Sequence, residues 1–112
     1  VQFIIKTDLS EEVIYSHKII YIHTIDAHLK RLEIVLEDHS IETIGTLSEW
    51  EISLKDYNFI LSHRGYLVNT SQIHYFEDKK LIMNNGDAIP VSRRKEKEIR
   101  TLFAHICISG GL

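Results

Sequence analysis

The 112-residue sequence holds one cysteine, one proline, one tryptophan and five glycines. The lone Cys107 excludes an internal disulfide and a cysteine zinc cluster, which suits a reducing compartment and a cytoplasmic protein. So few prolines and glycines argue against disorder or low complexity. No apolar run approaches the roughly 20 residues of a membrane-spanning helix, so no membrane contact is expected of this fragment. Position 1 is Val and Met83 is the only methionine, so a piece of a longer protein is expected. What is present, 44% hydrophobic and 26% charged residues, fits one globular domain with a single core.

The net charge of −3 conceals an asymmetry. Residues 1–60 carry five Lys/Arg against eleven Asp/Glu, whereas residues 61–112 carry eight against five. Five of those eight cations fall between Arg93 and Arg100. Such an imbalance hints at a surface facing a polyanion, although on charge alone a solvated helix face explains it as well.

The chain reads as short strands. Phe3–Lys6, Val13–Tyr15 and Ile19–Ile22 are β-branched and aromatic runs too short for helices. Leu32–Leu36 and Ile41–Ile44 flank a turn at Glu37-Asp38, predicting a hairpin. Thr46 and Glu49 form a capping box for a helix of two to three turns with a Leu47, Trp50, Leu54 stripe. Strands resume at Phe59–Leu61, Tyr66–Val68 and Ile73–Phe76, and Asn85-Gly86 turns Lys80–Met83 back into Ala88–Val91. Ser92 can cap a last helix over about 93–106, docked through Ile99, Leu102, Phe103 and Ile106. Residues 1–108 are expected to form the domain and 109–112 a flexible tail.

Catalysis finds no support. The seven histidines lack the close pairing of a zinc site, so neither metal nor cofactor is expected. Gly-x-Ser-x-Gly and glycine-rich phosphate loops are absent, and Cys107 is expected to pack as a small hydrophobe. Ser62 and His63 are strand neighbours pointing to opposite faces, so they cannot pair as nucleophile and base. Three loop positions remain that present cations: His28, Lys30 and Arg31; His63 and Arg64; and Arg93 opening the basic helix. Arg, Lys and His suit base edges in a major groove, while Arg94, Lys95 and Lys97 suit phosphates. Loops are also polar simply because they lie on the surface, and each position taken singly is explained that way.

His63-Arg64-Gly65-Tyr66-Leu67-Val68-Asn69 resembles the His-Arg-Ser-Tyr-Leu-Val-Asn motif of the LytTR-type DNA-binding domain, an output module of many bacterial response regulators. Lys18–Ile22, Thr46–Glu51 and Asn85–Arg94 resemble further motifs of that family in the same order, so the resemblance spans about residues 1–105. It implies a mainly β fold, an elongated stack of small antiparallel sheets with two short helices, whose loops enter successive major grooves of bent DNA. It implies base contacts at Arg64 and Arg93, and at either His28 or Lys30, because the first loop is one residue longer here. Phosphate contacts are then expected from Arg31, His63, Ser92, Arg94, Lys95 and Lys97. The implied partner is double-stranded DNA carrying promoter direct repeats, bound with a second copy of the domain.

His63 is open between packing and phosphate contact, and Asn69 is expected to be structural, as Trp50, Tyr66 and Phe103 are expected to be core. Gly65 replaces the family's usual Ser and removes a hydroxyl suited to phosphate. That departure and the acidic first half leave an alternative: a protein-interaction module of the same fold that has lost specific DNA binding.

Overall fold

The computed structural model describes the backbone of residues 1–110 and the side chains of residues 1–102. Ten strands and two helices follow the order β1 (Gln2–Lys6), β2 (Glu11–Tyr15), β3 (Ile19–Asp26), β4 (Arg31–Leu36), β5 (Ser40–Ile44), α1 (Leu47–Ser53), β6 (Phe59–His63), β7 (Tyr66–Asn69), β8 (Ile73–Glu77), β9 (Lys80–Met83), β10 (Ala88–Pro90) and α2 (Arg93–Gly110). They form three antiparallel sheets: a β1-β2 hairpin, a central sheet ordered β5-β4-β3-β7-β6, and a small sheet ordered β10-β9-β8. The molecule extends 48 × 26 × 24 Å, the elongated stack that the motifs implied.

Both faces of the central sheet are covered, and this fixes its sequence pattern. Ile22, Leu32, Ile34, Leu36 and Leu67 form one core with Ile5 and Ile14 of the hairpin and Leu47 and Leu54 of the α1 region. Ile20, Tyr21, Val35 and Val68 form the other with Leu81, Met83 and Ile89 of the small sheet and Ile99 of α2. Simple alternation would give Ile20 and Tyr21 opposite faces. The register shift between Ile19 and Tyr21 in the β3–β4 pairing reverses the phase there, so two consecutive residues enter one core.

Local signals account for much of the rest. Thr46 accepts from the Glu49 amide while the Glu49 carboxylate accepts from the Thr46 amide, completing the capping box. At Asn84–Asp87 the Gly86 amide donates to the Met83 carbonyl, and Gly86 adopts φ +91°. This left-handed backbone favours glycine. Asn69 is structural: its buried amide donates to the Ile19 carbonyl at 2.8 Å and its oxygen accepts from the Ser71 amide at 3.0 Å.

Three readings need correction. β3 continues to Asp26 because the polar residues His23, Thr24 and Asp26 keep pairing with β4, and His23 also with β7. Trp50 and Tyr66 are half-buried rather than core; Trp50 sits at the core's margin with Phe3, ring centroids 5.0 Å apart. α1 has seven residues, two turns at most. Ile99 docks α2 as expected, while Phe103, Ile106 and Cys107 lie outside the described side chains.

The hairpin is fastened to the central sheet partly by His39, whose Nδ1 meets Asp38 at 2.7 Å and whose Nε2 meets Glu12 of β2. Donation to two carboxylates requires the imidazolium. The Asp38 bond first, and then the Glu12 bond, raise the His39 pKa. A raised folded pKa stabilises fully below the unfolded value and is lost as pH rises through the folded one. Wild type should therefore exceed His39→Gln in stability at about pH 5.5, with the gap closing by about pH 8.5. The gap is expected to be small because the groups are exposed. Urea midpoints across that range measure it, and a gap that does not change with pH would contradict the assignment.

Candidate nucleic-acid interface

Pairing of β3 with both β4 and β7 sets the β3–β4 and β6–β7 turns side by side at one end of the central sheet. The first turn is held by its backbone. The Leu29 amide donates to the Asp26 carboxylate at 3.0 Å, and the Lys30 amide donates to the Ala27 carbonyl at 3.3 Å. Lys30 adopts φ +54°, and its carbonyl accepts from the Gly45 amide at 2.8 Å. His28 and Lys30 are both exposed. Arg31 instead turns to the Glu42 carboxylate of β5 at 3.0 Å.

The second turn presents an exposed Arg64 from a buttressed base. Its carbonyl at Gly65 accepts from the Thr24 amide at 3.0 Å, and the Gly65 amide donates to His63 Nδ1 at 3.2 Å. That acceptor role puts the ring proton of a neutral His63 on Nε2. His63 lies edge-on to Tyr66 (5.9 Å, 74°), and Tyr66 stacks on His23 (5.3 Å, 7°). His23 Nε2 in turn meets Glu33 at 2.6 Å, and Ser40 donates to the other Glu33 oxygen at 3.0 Å. The bond to His23 is the largest influence holding the Glu33 carboxyl below its usual range, with Ser40 adding to it against the effect of burial. A row of rings thus runs from His23 of β3, anchored by Glu33 of β4, to the base of the Arg64 turn.

The third position is tied to the second. The Ser92 amide donates to the Ser62 carbonyl at 2.8 Å, and the fully buried Ser62 hydroxyl donates to the Pro90 carbonyl at 3.0 Å. The Ser92 carbonyl accepts from the Lys95 and Glu96 amides and starts α2. One groove is consequently lined by His63, Arg64, Ser92, Arg94 and Lys95, with Leu61 and Glu98. Arg93 lies instead with Lys97 and Arg100 on an adjoining face, beside Glu96. Arg64 therefore shares its groove with Arg94 and Lys95, and Arg93 does not line it. Lys95 reaches Glu98 at 3.4 Å, while Arg100 pairs with Glu96 at 3.1 Å and lies 5.2 Å over the Phe76 ring.

Sequence reasoning passed over several positioning groups. Ser62 lies inside an apolar strand, where a serine is itself a sign of a buried hydrogen bond. Tyr21 donates to Asp87 at 2.9 Å, joining the central sheet to the β9–β10 turn. Burial first, then Asp87, push the Tyr21 hydroxyl well above its usual range, so it stays a neutral donor. His23 and Glu33 carry no local pattern, because their meeting depends on the β3–β4 register. Among the described residues no three His, Cys, Asp or Glu side chains converge to hold a metal ion, and no helix is long and apolar enough to cross a membrane.

The sequence pattern of the LytTr DNA-binding domain matches residues 12–104. The chain is 36% identical over 96 residues to the sensory transduction protein LytT of Bacillus subtilis (strain 168), aligning 81% of the chain with 39% of that protein. It is 29% identical over 84 residues to the Enterococcus faecalis protein of the same name, aligning 70% with 35%. The chain thus spans well under half the length of these relatives. Among solved structures, it superposes with a TM-score of 0.76 and 25% identity on a Bacillus cereus chain described as the LytTr DNA-binding domain of a methyl-accepting/DNA response regulator. That match covers 91% of this chain and 95% of the other.

Proposed function

The chain belongs to the LytTr DNA-binding domain family, and we propose that it is the sequence-reading output domain of a cytoplasmic transcriptional regulator. It binds double-stranded DNA and performs no chemistry on it. The observation that carries this reading is the tether between Ser92 and Ser62, which sets Arg64 beside Arg94 and Lys95 in one groove. Two loops and the start of α2 present the base-reading groups: His28 or Lys30, then Arg64, then Arg93. Arg94, Lys95 and Lys97, with the Ser92 hydroxyl and the Nε2 donor of His63, face phosphates and set register. Arg31 contributes only if it leaves Glu42. Residues 1–108 are the binding unit, and two copies occupy direct repeats in promoters.

Selection of bound duplexes from a random-sequence pool at moderate salt tests this. The expected outcome is one enriched motif, recurring at helical-turn spacing. Binding without any preferred sequence would reduce the site to phosphate contact, and no binding by the folded domain would favour the protein-interaction alternative.

Gly65 offers a gain-of-function test. A Cβ there would meet His63 Nδ1 at an ordinary 3.7 Å, so the Cβ of a serine is accommodated without displacement. Gly65→Ser is expected to tighten binding by about 0.5–1.5 kcal/mol, the range of one net hydrogen bond. Because the added hydroxyl faces phosphate, the gain should be similar for selected and unrelated duplexes in anisotropy titrations. Unchanged affinity for both would place the β6–β7 turn away from the backbone.

A further inference from the structure

The two loop tips that expose a leucine differ in their surroundings. Leu9, at the tip of the β1-β2 hairpin, is 96% exposed and lies between Asp8 and Ser10, with Glu11 and Glu12 following. A polyanion would be repelled there. Leu29 is 61% exposed at the β3–β4 turn, between His28 and Lys30, with Arg31 following. Exposed Ala27 and Ile44 lie at the same end of the sheet, Ile44 paired in register with Arg31. The opposite end of the central sheet carries Lys18, Glu37, Asp38 and His39 at its exposed turns. Apolar side chains are therefore interleaved with cations at the end bearing the candidate base-reading groups.

Leu29 is also held in place before any partner arrives. Its amide is bonded to Asp26, and the next residue is fixed on both its amide and its carbonyl. Little backbone entropy is lost when such a side chain meets a surface. The major groove offers hydrogen-bonding edges on every base pair but one exposed apolar group, the C5-methyl of thymine. We infer that Leu29 is a specificity-determining residue that packs on a thymine methyl next to the base pair read by His28 or Lys30. The inference rests on the proposed DNA reading and adds the identity of a base that this loop selects.

Deoxyuridine differs from thymidine only by lacking that methyl, so the contact can be removed from the DNA side alone. Each thymidine of the selected operator is replaced in turn, and dissociation constants are measured for wild type and Leu29→Ala at one salt concentration. One replacement should weaken wild-type binding roughly three- to fivefold, the worth of one buried methyl, and should leave Leu29→Ala unaffected. Leu29 is exposed, so its truncation leaves both cores intact, and a far-ultraviolet spectrum checks this. A wild type indifferent to every replacement overturns the inference, as does a Leu29→Ala variant with the same penalty or an operator without a preferred thymine. In each of those cases the domain still binds DNA. If no duplex is bound at all, the DNA reading fails and the inference fails with it.

Discussion

Arg64→Ala is expected to weaken binding to the selected operator by about 1–3 kcal/mol while changing affinity for unrelated duplexes much less. The guanidinium is exposed at the head of a turn fixed by the Thr24, His63 and Tyr66 contacts, so its removal should leave the backbone in place. What is lost is a donor fork suited to the guanine edge, and repeating the selection with the variant should show one base position relaxed. Lys97→Ala supplies the contrast. It lies on α2 with Arg93 and Arg100, and as a phosphate neutraliser it should weaken all duplexes alike, reducing the slope of log affinity against log salt by about 1. Equal losses on specific and unrelated DNA for Arg64→Ala would show that it touches phosphate rather than a base.

Ile99→Ala should have the largest effect on stability, about 2–5 kcal/mol in urea unfolding. Ile99 is fully buried and, among the described side chains of α2, is the one in the core formed with Tyr21, Val68, Leu81, Met83 and Ile89. Its truncation leaves a cavity between α2 and the two sheets that pack against it. Because Arg93, Arg94, Lys95 and Lys97 ride on the same helix, operator affinity should fall as well, with any relaxed base preference confined to the position that Arg93 reads. A loss below about 1 kcal/mol would mean that α2 is not anchored through this residue.

The features legible in sequence are those whose physics is local. The Thr46–Glu49 box, the turn at Gly86 and the hairpin of β4 and β5 each depend on residues a few positions apart. The phase reversal at Ile20-Tyr21 was hidden because an apolar run buried on both faces shows no alternation to interrupt. His23, Glu33 and Tyr66 are dispersed along the chain and acquire meaning only through strand register. The family motifs imply base contacts at both Arg64 and Arg93. The structure separates them, with Arg64 in the groove of Arg94 and Arg93 on the adjoining face.

The bond from the Ser92 amide to the Ser62 carbonyl has a mechanical consequence. It links two main-chain segments directly, so no side-chain rotation can lengthen the interval between the turn bearing Arg64 and the start of α2. The protein then acts as a stiff gauge, and on the proposed reading the double helix supplies the compliance. Operators would differ in affinity through the flexibility of base steps lying between contacts, which the protein never touches.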